Sequence, residues 1–144
     1  MTTAVIGLLA AAALMRIGSN TLNTTESEGF VRRLALDMRQ ARRAAIATGD
    51  DHYVRLNRDA GGKVIGYDLL RDTSGADTLV QPTTVTPNDT AVITATNDWA
   101  FDFSGALTAV GGASSLQIDG TNFEWNLDVI HATGIVRTTK TAQP

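Results

Sequence analysis

Residues 4–15 read AVIGLLAAAALM, with no charged and no polar side chain. The uncharged stretch reaches back to Met1 and stops at Arg16. A bilayer crossing takes about 20 apolar residues, and a run of about 10–14 is more often a buried helix or a signal-peptide core. This run is therefore too apolar to sit in water and slightly short for a span, so something else must cover it. Ala and Leu dominate it and both favour helix, whereas Gly7 costs about 1 kcal/mol relative to Ala.

The rest of the chain is ordinary for one folded domain. Its 144 residues are long enough for a core, and a hydrophobic content of 43% argues against global disorder. Cys is absent, which excludes disulfides and thiolate metal sites, and two His are too few for a His-rich metal cage. The net charge of −3 gives no reason to expect nucleic-acid binding by the whole molecule, but the charge is unevenly spread. Residues 1–48 carry a net +3 and residues 49–144 a net −6. Such a split marks either an electrostatic partner surface or two solvated faces of unlike sign.

A composition change follows the apolar run. Residues 18–29, GSNTLNTTESEG, are rich in side chains that compete with the helix backbone or favour caps. The helix is expected to fray or break here, with a fresh start near residue 26. Thr25 and Glu28 have the capping-box spacing that supports this. A continuous but weakened helix is the alternative. Residues 29–50 give the clearest helix. Val31, Leu34, Met38, Ala41, Ala45 and Thr48 form one narrow apolar face, Asp37 can pair with Arg33, and Gly49 is a stop.

Beyond Gly49 the pattern turns to strands. Residues 52–70 alternate about an AGG turn and read as a hairpin. RDTSGAD and VQPTTVTPND are turn-rich. AVITAT, WAFDF, ALTAV, SLQID, FEWNLDVI and IVRTT complete about seven or eight short strands with Gly-rich turns, a sandwich or meander signal. The fold class expected is α+β: a long N-terminal apolar helix followed by an antiparallel sheet or sandwich head. Residues 1–28 form a protruding apolar helix and joint. Residues 29–144 form the head, with helix 29–48 packed on sheet 52–140. A helix over residues 2–48 would reach about 70 Å, against a head radius of gyration of about 12–13 Å. Its leading part must be buried by a bilayer or by other copies.

Three stretches in this order resemble the type IV pilin-like proteins, and more closely the minor pseudopilin H group of type II secretion and pilus assembly. VIGLLAAAAL is similar to the pilin apolar helix. LALDMRQARRAAIATGDDHYVRL is similar to the segment in which that group's helix ends and its first strand begins. FDFSGALTAVGG, LQI and TGIVR are similar to its Phe-x-Gly turn and closing Thr-Gly-x-Val strand. The family's leader peptide, its methylated first mature residue and its acidic fifth residue have no counterpart; Val5 stands at that number. The family's apolar-segment Gly lies about seven positions deeper than Gly7. The expectation is that six or seven residues precede Met1, which would bring the run to about 22, enough to span; the alternative is a genuinely short helix without the acidic residue.

The resemblance implies a structural subunit of a pilus-like or pseudopilus filament, polymerising through its N-terminal helix. It implies an inner-membrane precursor and then a periplasmic or extracellular filament. Val5, Ile6, Leu8, Leu9, Leu14, Met15 and Ile17 would form the filament core or sit in the membrane. The partners would be copies of itself in a helical homopolymer, or other pilins. The alternative is a minor tip pseudopilin that holds a secreted substrate or DNA; a membrane-anchored enzyme is a third reading. Arg32, Arg39, Arg42 and Arg43 are candidates for contacts with carboxylates such as Asp72, Asp77 or Asp89 of neighbouring copies. Arg137 and Lys140 are candidates for a weak nucleic-acid contact, but two cations are fewer than nonspecific DNA binding needs, and nucleic acid is not the expected partner.

No cofactor, metal or catalytic residue is expected. Asp50, Asp51 and His52 read as a solvated helix-to-strand turn. Ser104, Asp128 and His131 lack an elbow motif, and Val64 stands where a phosphate loop needs Ser or Thr after Lys63. The alternation of Trp99, Phe101, Phe103, Phe123 and Trp125 reads as core or half-buried sheet. The sequons at Asn23 and Asn88 mark exposed positions only.

Overall fold

The computed structural model describes the backbone of residues 2–109 and 114–143, with side chains over 21–108 and 114–143. Helix α1 spans Thr2–Thr48 without interruption. The break expected in 18–29 is absent, and Thr25 does not cap a new helix. Its hydroxyl donates instead to the Thr21 carbonyl one turn back, at 2.9 Å. The polar residues of this stretch serve as a contact face. Asn23 donates to Asp89, and Asn122 to the Thr24 hydroxyl at 2.8 Å. The fully buried Ser27 hydroxyl lies 2.7 Å from that of Thr90. Tertiary hydrogen bonds thus outweigh the local propensity against helix.

Ser27 begins a buried stripe that continues through Val31, Leu34, Met38, Ala41 and Ala45. Thr48, expected to extend it, is exposed. Gly49 ends the helix with φ 77°, its N–H donating to the Ala45 carbonyl at 2.9 Å.

Nine strands follow among the described residues. They are β1 His52–Arg58, β2 Val64–Thr73, β3 Ala76–Val85, β4 Ala91–Ile93, β5 Asp98–Phe101, β6 Leu107–Ala109, β7 Ser115–Asp119, β8 Phe123–Ile130 and β9 Ile135–Ala142. One sheet has the order β3-β2-β1-β5-β6 and the other β4-β7-β8-β9, and every pairing is antiparallel. The expected 52–70 hairpin is β1–β2, closed by Asp59, whose carboxylate accepts the N–H groups of Gly61 and Lys63, both at 2.9 Å.

Two strand expectations change. The segment read as turn-rich is β3, a ten-residue strand reached through a two-residue turn. Ser74 and Gly75, with φ 58° and 87°, have the double positive φ of a type I′ turn. Pro82 is tolerated because β3 is the sheet's edge. Phe103, expected in the alternating core of WAFDF, is 69% exposed, since β5 ends at Phe101 and the chain turns.

α1 touches β1 and β5 of the first sheet and β8 and β9 of the second, so it is common to both layers. Its small Ala35, Ala41 and Ala45 let the strands approach closely. Leu34 and Met38 enter a core with Tyr67, Leu69, Trp99 and Phe101 of one sheet and Leu116, Ile118 and Leu127 of the other. No helix among the described residues is long and apolar enough to cross a membrane.

One buried carboxylate fixes the helix against the first sheet. Asp37 accepts from the Tyr67 hydroxyl at 2.7 Å and from the Gln81 amide at 2.8 Å, with Arg33 one turn away at 3.8 Å. Burial, and then the bond to Asp37, push the Tyr67 hydroxyl well above its ordinary pKa. Asp37→Ala strands the Tyr67 donor in the core and should cost about 1–3 kcal/mol. Tyr67→Phe added to Asp37→Ala should cost less than the two single changes together. Urea denaturation followed by the fluorescence of the buried Trp99 and Trp125 measures both.

Candidate assembly surfaces

The last turns of α1 hold two glycine turns together. Asp102 organises the first, accepting from the Ser104 N–H at 2.8 Å, its hydroxyl at 2.6 Å and the Ala106 N–H at 3.0 Å. The second, residues 131–134, closes the β8–β9 hairpin. The turns meet where the Leu107 N–H donates to the His131 carbonyl at 2.8 Å. A Cβ on Gly134, with φ 62°, would stand 2.1 Å from the Gly105 carbonyl oxygen, so only glycine fits. Arg42 Nε donates to that same oxygen at 3.2 Å. The Phe-x-Gly and Thr-Gly stretches, far apart in sequence, are thus one junction on α1.

Lower on the helix, α1 is clamped to β9 by charge. Glu28 accepts from Arg32 at 2.5 Å and from Lys140 at 2.9 Å. Lys140 also stands over the ring of Phe123 at 3.9 Å and beside Trp125 at 5.6 Å. The bond from Lys140, then that from Arg32, hold the Glu28 carboxyl below its ordinary value. Between α1 and β9 runs a groove of about 430 Å³, lined by Arg32, Leu36, Arg39, Trp125, Thr138 and Lys140 among others. Arg39 reaches across it to the Val136 carbonyl at 3.3 Å.

A second charged surface occupies the outer face of the first sheet. Arg55 makes a two-point contact with Asp98, at 3.0 and 3.2 Å, and bonds Asp77 at 2.9 Å. These contacts, Asp98 first, raise the Arg55 pKa. The Tyr53 hydroxyl is pushed up to about 12, chiefly by burial and then by its bond to Asp77. Tyr53 and Arg55 together hold Asp77 below the ordinary carboxylate value. Asp51 and Asp72 line the same hollow of about 230 Å³.

The sequence candidates divide accordingly. Val5, Ile6, Leu8, Leu9, Leu14, Met15 and Ile17 lie in α1, and their side chains fall outside the described residues. Arg42 is drawn into the glycine junction of its own head, and Arg39 and Arg32 find intrachain partners, while Arg43 is exposed. Among the carboxylates offered to them, Asp77 already serves Arg55 and Asp89 serves Asn23. Lys140 belongs to the Glu28 clamp, and Arg137 is exposed opposite Asp128 on β8. Asp50 pairs with Arg71, and the buried His52 has Nδ1 3.0 Å from the Asp50 carbonyl oxygen. The Ser104 hydroxyl is committed to Asp102. Sequence reasoning missed Ser27, Tyr67 and Gln81, and gave Glu28 only a capping role. Ser27 had a visible signal, four residues before Val31 in the helical stripe, and Glu28 another, four residues before Arg32.

This fold, a long N-terminal helix packed on two antiparallel sheets, is similar to that of solved minor pilin and minor pseudopilin structures. The minor pilin FimU of Pseudomonas aeruginosa superposes with TM-score 0.56 at 12% identity, over 89% of this chain and 92% of that one. A second crystal form of FimU gives 0.54 at 13%, over 84% and 92%. The minor pseudopilin EpsH of the Vibrio cholerae type 2 secretion system gives 0.54 at 16%, over 83% and 96%. No protein-family model matches the chain, and comparison with curated sequences gives no match.

The lowered Glu28 carboxyl ties the α1–β9 clamp to pH. Its contribution is fully present above the ordinary value of 4.5 and is lost as pH falls through the lowered folded-state value. Melting curves from neutral pH to about pH 2 should show Glu28→Gln less stable than the unsubstituted chain at neutral pH. The two should converge in acid.

Proposed function

We propose that this chain is a structural subunit of a type IV pilus-like or pseudopilus filament. It polymerises through its N-terminal helix, and its work is assembly rather than catalysis. The observation that carries the reading is the 47-residue helix α1, at about 1.5 Å per residue, whose described side chains reach the head from Asn23. The apolar run AVIGLLAAAALM stands earlier in the same helix. Before assembly it rests in the inner membrane. Afterwards it is covered by the helices of other copies or other pilins, in a periplasmic or extracellular filament.

A second reading is a minor subunit at a filament tip that holds a secreted substrate or DNA. The structural likeness to a minor pilin and a minor pseudopilin favours it. Copy number along purified filaments, by quantitative immunolabelling, separates a repeating subunit from a tip protein.

The filament reading is tested with Leu9→Asp and Leu14→Asp. An unpaired charge in a buried helix bundle costs several kcal/mol. Both variants should abolish incorporation into filaments while the melting temperature of the head stays unchanged. Normal incorporation would remove the helical core from the reading.

A further inference from the structure

Two hollows of opposite net charge lie on opposite sides of the first sheet. Strand pleating turns Val54, Leu56 and Trp99 into the core and Tyr53, Arg55 and Asp98 to the other side. On the helix side, the α1–β9 groove holds Arg32, Arg39 and Lys140 against the one carboxylate of Glu28, a net +2. Arg32 and Lys140 share that carboxylate, and Arg39 is bonded to a neutral carbonyl, so positive charge is left over. On the far side, Asp51, Asp72, Asp77 and Asp98 surround Arg55, a net −3.

The acidic surface has a projecting edge. Asp72 and Asp77 are direct cross-strand partners at the end of the β2–β3 hairpin, and residues 73–76 beyond the pair are exposed. Two carboxylates placed directly opposite each other disfavour the hairpin end unless cations face them. Arg55 reaches Asp77, and Asp72 accepts the Gly75 N–H at 2.7 Å.

The hairpin tip cannot use its own groove. The Asp72 N–H donates to the Asp51 carbonyl at 2.9 Å, which puts the tip past the end of α1. The groove flanks helix residues 28–39, roughly 20 Å lower along the axis at about 1.5 Å per residue. Bringing the surfaces together takes a second copy.

We infer that the acidic β2–β3 hairpin tip of one copy seats in the basic α1–β9 groove of the next. Asp72 and Asp77 face Arg32, Arg39 and Lys140, and the exposed Leu36 packs against the hairpin. The inference rests on the filament reading and names the contact between heads. It joins two different surfaces and so is heterologous. Repeated with an axial offset it builds an open chain rather than a closed pair. Opposite charge steers the encounter and salt screens it.

The chain holds no Cys, so disulfide cross-linking reads the contact directly. Full-length Leu36→Cys and Ala76→Cys chains are mixed under assembly conditions and oxidised. A mixed disulfide is expected at low salt, with less at high salt. Arg32→Glu with Arg39→Glu in the Leu36→Cys chain should lower its yield at least about tenfold. Asp72→Lys with Asp77→Lys in the partnering Ala76→Cys chain should restore it, and Arg32→Lys with Arg39→Lys in the Leu36→Cys chain should retain it. Melting temperatures show that each variant is folded. A yield indifferent to charge reversal, or no recovery when both partners are reversed, overturns the inference. Filament yield is scored separately by electron microscopy. Filaments without the cross-link sink the head contact alone, cross-linked chains without filaments support the contact and sink the filament reading, and neither product sinks both.

Discussion

The head is held together by one stripe of a helix. Ser27, Val31, Leu34, Met38, Ala41 and Ala45 are the buried positions along which α1 meets strands from both sheets. The two sheets have no strand in common, so their relative position depends on this helix, on the side chains interleaved around it and on the backbone bond from Leu107 to His131 at the glycine junction. The narrowness of the stripe matters. The buried Ala41 and Ala45, with Ala35 beside them, leave room for the strands, and the larger Leu34 and Met38 fill the space between the layers. At its edges the attachment becomes polar, through Asp37 to β2 and β3, Arg42 to the glycine junction, and Glu28 to β9.

This arrangement changes the meaning of the charge asymmetry along the chain. Three arginines of α1 are tied to their own head rather than free for neighbouring copies. Arg42 and Arg39 hold carbonyls of their own head, and Arg32 shares Glu28 with Lys140. Around Arg32 and Arg39, local excess charge remains because these partners are neutral or shared. Net charge by segment reports that an excess exists. Only the fold shows where it collects: in a groove on the helix side, and at a hairpin end on the far side of the sheet.

The strongly periodic parts of the fold were legible in the sequence. The stripe through Val31, Leu34 and Met38, the hairpin of β1 and β2, and the short strands after residue 90 follow from spacing and turn residues. The helix between residues 18 and 29 was not legible as continuous, because its Ser, Thr and Asn side chains oppose helix in isolation. Their compensating partners, Asp89, Thr90 and Asn122, lie more than sixty residues away. β3 was missed for a related reason: an exposed edge strand is free of the alternation that betrays a buried one, and Pro82 argues against a strand only where both edges are paired. The Glu28 clamp and the Asp37 network join residues far apart in sequence, and no local pattern records them.

The continuity of α1 gives its lower attachment a mechanical role. Near Asn23, Thr24 and Ser27 the head is tied on by hydrogen bonds, and water can replace most of what such bonds contribute. Farther up, the head is tied on by apolar burial, which water cannot replace. A pull along the helix axis would therefore peel the head from its lower edge first, bond by bond, while the stripe above stays closed. Released, the same donors and acceptors are still in register on an unbroken helix, so the edge can zip shut again. The polar segment is then a reversible seam that yields under load, and the uninterrupted helix is what allows it to recover.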